Sequence, residues 1–125
     1  MKELPAEFPG AAFEPIYTDE FLRRLAHRHY REHRDRVAAV VERICRHPFH
    51  LSHLLGNRHG LDWRGKRDRH VAGDLIIVFA ICLECADRGF QAAGVNDCCD
   101  GPAPYRSNAI ILLSLGSHKD LFARG

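Results

Sequence analysis

Two stretches of the chain are apolar at almost every position: "DLIIVFAIC" at Asp74–Cys82 and "NAIILLSLG" at Asn108–Gly116. A half-exposed strand alternates polar and apolar residues, whereas an unbroken run rich in Ile and Val fits a strand covered on both faces. Neither run approaches the ~20 residues of a membrane span. Both therefore need other elements packed against them, and the rest of the chain must supply these.

The stretch "FEPIYT" reads as a short strand. Thr18 then caps a helix whose first turn carries Asp19 and Glu20, where the helix dipole favours acids. Phe21, Leu22 and Leu25 form its apolar stripe, and the basic run "HRHYREHR" follows. A second helix is marked by Val37, Val40, Val41 and Ile44 at i, i+3, i+4 and i+7, and ends before His47-Pro48. Residues 48–65 read as a loop, residues 66–71 alternate, and Ala72-Gly73 fits a hairpin turn. Ser117 can cap one final helical turn, "HKDLF". The expected fold is α+β, with an N-terminal helical hairpin packed on a small, mostly antiparallel sheet and a short C-terminal helix. At 125 residues this is expected to be one domain. Residues 1–12 are expected to form a loose arm, and residues 83–107 a cysteine-bearing insertion between the last two strands.

A net charge of +2 conceals a strong asymmetry. Residues 1–22 hold one Lys and five acids, residues 23–70 thirteen Lys/Arg and five acids, and residues 71–125 four basic and six acidic residues. The three segments carry −4, +8 and −2. The middle segment also holds eight of the nine histidines, which suits a polyanionic partner, although its helical arginines fit a solvated face equally well. The start of the chain has no apolar core of a signal peptide, so a cytoplasmic location and no membrane partner are expected.

In "GKRDRHVAGD" (65–74), strand alternation places Asp68 and His70 on one face and Arg67, Arg69 and Val71 on the other. Asp74, just past the turn, can reach back toward His70 and support a charged imidazole. Taken alone, these residues fit an inert surface hairpin as well as a site.

The distant "LGSHKDLF" changes that balance. It resembles the "GSHSDLF" ending of toxins in the RelE/ParE superfamily, specifically the YafQ-like branch. "WRGKRDRHVAGDLIIVF" resembles the same family's W-x-G-x-R-D-x-H segment, and the likeness covers roughly residues 13–82 and 108–123. The resemblance implies the toxin of a type II toxin–antitoxin pair, a ribosome-dependent mRNA endoribonuclease with a cognate antitoxin as partner and metal-independent chemistry. Position by position it implies Asp68, His70, Asp74, His118 and Phe122, together with a histidine before the L-x-G segment. His53 matches that last position best, with His50 and His59 competing. Leu75 replaces an expected aromatic residue, Phe79 replaces a Tyr, and this strand lacks the Arg that many relatives carry.

Histidines, with ordinary pKa values of ~6.5, can supply both proton transfers of RNA cleavage near neutral pH. His70 and His118 are expected to share the acid and base roles, with Asp68 and Asp74 positioning them. Arg64 and Lys66 are the candidates for holding the scissile phosphate, Arg67 and Arg69 for a wider grip on RNA, and Phe122 for supporting a base or packing in the core.

In the insertion, Cys82-x-x-Cys85 is half of a tetrahedral zinc site. Cys98 and Cys99, with Asp97 or Asp100, would complete a structural zinc; reduced thiols or a disulfide are the alternatives. Cys45 reads as core. The rival function is a non-catalytic, zinc-stabilised RNA- or protein-binding module on the same fold. A gyrase poison of the ParE type is a third.

Overall fold

A computed structural model describes residues 13–55, 57–58, 61–62, 65–87 and 108–122, without the side chains of 57–58, 61–62, 85–87 and 122. The elements are β1 (Glu14–Tyr17), α1 (Asp19–Ala26), a 3₁₀ turn (Arg31–His33), α2 (Arg34–Arg46), β2 (His53–Leu54), β3 (Asn57–Arg58) and β4 (Leu61–Asp62). They continue with β5 (Arg67–Ala72), β6 (Leu75–Ile81), α3 (Cys82–Asp87), β7 (Ala109–Ser117) and α4 (His118–Phe122). The five-stranded sheet has the order β1-β7-β6-β5-β2, while β3 and β4 form a separate ribbon.

The class is α+β, as expected, but the described chain opens with a strand and not with a helical hairpin. β1 runs parallel to β7, and the other three pairings of the sheet are antiparallel, so the sheet is mixed. Starting with β1 follows from what the two helices must cover. Phe13 and Phe21 enter the same core as Val37, Val40, Val41 and Ile44, and β1 places them there. The hydroxyl of Thr18 joins these layers: it accepts the Phe21 N–H at 3.2 Å and donates to the Leu112 carbonyl at 2.9 Å.

β6 lies at the centre of the sheet, and none of its residues is more than 7% exposed. Ile77, Phe79 and Ile81 meet the helices, while Ile76 and Val78 face Leu55 and Leu121 on the other side. Each fully buried Ile, Val or Phe of this kind contributes about 1.5–3 kcal/mol. The β5–β6 turn is Gly73-Asp74, one residue later than the alternation suggests, because Ala72 still pairs with Leu75. Gly73 takes φ 52°, a left-handed conformation that glycine adopts without a Cβ penalty. The segment expected to be irregular from residue 83 instead continues β6 directly into α3.

Candidate functional site

Three strand ends bring the principal candidates together. His70 on β5 pairs with Ile76 of β6, which pairs on its other side with Gly116 of β7, two residues before His118. The β5–β6 register shifts between His70 and Ala72. Such an irregularity bends a strand locally and re-aims its side chains. The His70 and His118 rings lie with centroids 5.1 Å apart and planes at 42°.

Asp74 completes this cluster differently from the sequence expectation. Its Oδ1 is 2.8 Å from Nδ1 of His118, not directed at His70. An ionised carboxylate only accepts, so in this pair His118 donates through Nδ1. The hydrogen bond from the His118 ring holds the Asp74 carboxyl below its usual range, assisted by the charge and backbone N–H of His118 and by the charge of His70. Ser117 fixes the start of α4, its Oγ accepting the Asp120 N–H at 3.0 Å.

Asp68 and His53 form a second pair beside the first. They are register partners across β5 and β2. Nδ1 of His53 lies 3.4 Å from Asp68 Oδ1, while His53 is 72% exposed and the Asp68 side chain only 7%. Asp68 Oδ1 has no hydrogen-bond partner, so the 3.4 Å approach is an ion-pair distance without hydrogen-bond geometry. A buried carboxylate oxygen left in this state is costly, and His53 lies within ion-pair distance of it. The structure therefore puts His53 next to Asp68. His50 instead offers its carbonyl to Arg69 at 3.4 Å, and His59 lies outside the described residues.

The two arginines expected on RNA are placed elsewhere. Arg67 and Arg69 are 8% and 6% exposed, on the helix-facing side of the sheet. Arg67 donates from Nε to Glu84 Oε1 at 2.8 Å and from Nη2 to Glu84 Oε2 at 2.7 Å. Its Nη1 reaches the Ser52 hydroxyl at 3.1 Å, and its guanidinium lies 4.9 Å from the Phe49 ring centre. Burial, and then Arg43, push the Arg69 pKa down. These arginines hold the segment before β2 against β5; they do not form a surface grip. That segment is itself tightly turned: Leu51 adopts φ 55°, and Ser52 Oγ donates to the Pro48 carbonyl at 2.9 Å. Glu84 and Ser52 are the participants that sequence reasoning missed. A lone acid after an apolar strand gives no local sign of an arginine partner 17 positions earlier.

Lys66 is half-buried, and its carbonyl accepts the Leu55 N–H at 2.8 Å. Arg64 lies outside the described residues, as does the side chain of Phe122 on α4. Cys82 opens α3, buried with Ala109 and Ile111. Cys98, Cys99 and the Cys85 side chain lie outside the described residues, so the expected zinc set falls mostly beyond them. Among the described residues no cluster of three or more His, Cys, Asp or Glu suits a metal. Cys45 is buried as expected, and desolvation followed by Glu42 pushes its thiol up to about 11. No helix among the described residues is long and apolar enough to cross a membrane. Comparison with family models, curated proteins and solved structures finds no match for this chain.

Proposed function

We propose that this chain is a metal-independent endoribonuclease, the toxin of a type II toxin–antitoxin pair acting on mRNA at the ribosome. The observation that carries the reading is the Asp74–His118–His70 cluster. Residues 44 apart in sequence make a 2.8 Å hydrogen bond, and the second imidazole lies 5.1 Å from the first. These are the residues that the two motif resemblances singled out separately. A zinc-stabilised binding module would have no need to set one imidazole against another with a carboxylate holding the first.

In this reading one imidazole takes the proton of the ribose 2′-hydroxyl. The 2′ oxygen attacks phosphorus, the bond to the 5′ oxygen breaks, and the other imidazole, protonated, gives its proton to that leaving oxygen. The products are a 2′,3′-cyclic phosphate and a 5′-hydroxyl end. Asp74 keeps the His118 ring oriented through both transfers, and the Asp68 carboxylate, 3.4 Å from His53, supports that imidazole by charge alone. Lys66 and Arg64 are the cations assigned to the phosphate.

Expression in cells with primer-extension mapping of message, comparing the parent chain with His70→Ala and His118→Ala, tests this. Growth arrest and new message ends from the parent alone are expected. A parent chain that neither arrests growth nor cuts message rules the reading out, and equal cutting by the variants removes these catalysts.

A further inference from the structure

A cleft of about 350 Å³ lies between α4 and the end of α1. Arg23, Arg24, His27, His29, Tyr30 and Asp120 line it. Its two imidazoles are stacked, with centroids 4.8 Å apart and planes within 12°. The backbone N–H of His29 donates to Nδ1 of His27 at 3.1 Å, which holds this stack together. Both rings remain exposed. The acids here are already engaged: Asp120 accepts from the Tyr30 hydroxyl at 3.4 Å, and Glu20 accepts from Arg24 at 3.2 Å and from Ser114 at 2.7 Å. Arg24 also donates to the Leu115 carbonyl at 3.3 Å, so it belongs to the wall. Arg23 is exposed, and the neighbouring Arg28 and Lys119 are exposed as well.

Exposed cations beside flat aromatic faces are the two elements that hold single-stranded nucleic acid. The cations meet phosphates, and a base stacks on a ring whatever its sequence. An acidic peptide without aromatic residues, such as polyglutamate, could use the first element but offers no ring to the second. Asp120, two residues after His118 on α4, forms part of the cleft wall, so one short helix contributes to both the cleft and the His70–His118 cluster. We infer that the Arg23–His27–His29–Tyr30 cleft is a subsite for the RNA strand flanking the scissile bond, taking one backbone phosphate on Arg23 and His29 and a stacked base on the imidazoles. The inference rests on the proposed ribonuclease reading and deepens it.

The test titrates the full chain with a 2′-O-methyl oligoribonucleotide, which lacks the attacking hydroxyl and stays intact. Binding is followed by histidine ring NMR and by fluorescence anisotropy at several salt concentrations. Arg23→Gln/His29→Gln changes two exposed side chains and leaves the Arg24 and His27 supports in place. The expected result is movement of the His27 and His29 ring signals on binding. The double variant should bind at least fivefold more weakly, with a salt slope shallower by about 0.7 for the lost phosphate contact. Unmoved ring signals, or a double variant that binds like the parent, overturns the inference. So does a polyglutamate peptide that occupies the cleft more tightly than the oligonucleotide. A chain that cuts message but binds equally with and without Arg23 and His29 loses this inference and keeps the proposed function. A chain whose cleft binds RNA but that cuts nothing in cells loses the ribonuclease reading, and with it the cleft's place beside a scissile bond.

Discussion

Glu84→Ala is the most demanding test of how the sheet is held behind the candidate site. The Glu84 side chain is fully buried and that of Arg67 is 10% exposed, so water cannot replace the lost carboxylate. The substitution removes two charge-assisted hydrogen bonds, of 2.7 and 2.8 Å. It leaves a guanidinium whose remaining described support is Ser52 and the face of Phe49. Breaking one side of a buried ion pair costs about 3–5 kcal/mol, because the surviving charge stays in the interior uncompensated. Total stability of a domain is only about 5–15 kcal/mol, so this is a large share of it. For a chain of this size the thermal midpoint should fall by about 10–20 °C. Urea and thermal unfolding followed by circular dichroism measure both quantities. Arg67→Met/Glu84→Leu separates charge from packing, since replacing both partners with apolar groups should recover most of the loss. A Glu84→Ala cost below about 1 kcal/mol refutes the argument, as does a double variant no more stable than the single one.

Gly116→Ala probes the packing under α4. A Cβ there would meet Leu121 Cγ at 3.3 Å and Arg24 Nη1 at 3.2 Å. The arginine tip can move, and the Leu121 side chain, on the helix that carries His118, must give as well. A loss of about 1–3 kcal/mol in thermal unfolding is expected, with a weakened Asp74–His118 contact visible in the His118 ring signals. Asp74 provides a pH test. Its folded pKa is depressed, so its contribution to stability is present above the ordinary value of 3.8 and is lost as pH falls through the lower folded value. Carboxyl carbon NMR should show Asp74 titrating below 3.8 and returning toward it in His118→Ala; an unchanged midpoint in that variant would contradict the hydrogen bond as the cause.

Much of the fold was legible because local pattern follows local exposure. The apolar runs became β6 and β7, the spacing of Val37 to Ile44 became the buried face of α2, and Thr18 and Ser117 cap their helices. Alternation also placed Asp68 and Arg67 on opposite faces of β5 correctly. Exposure was not legible in the same way: "RDR" looks like a surface, yet all three residues are buried. For Arg67 the burial is tolerable because a partner arrives from a distance: Glu84, on the helix after the next strand.

The same physics divides the site. By itself the sequence determined which residue types are present, their alternation along β5, and the pairing of two motifs that carry His70 and His118. Strand order and register decided the rest. They turned Asp74 from His70 to His118, set His53 rather than His50 beside Asp68, and folded "HRHY" back against α4 to line a cleft. Periodicity says which way a side chain points from its own backbone. What it meets there depends on chain segments tens of residues away, and only the packed sheet sets that distance.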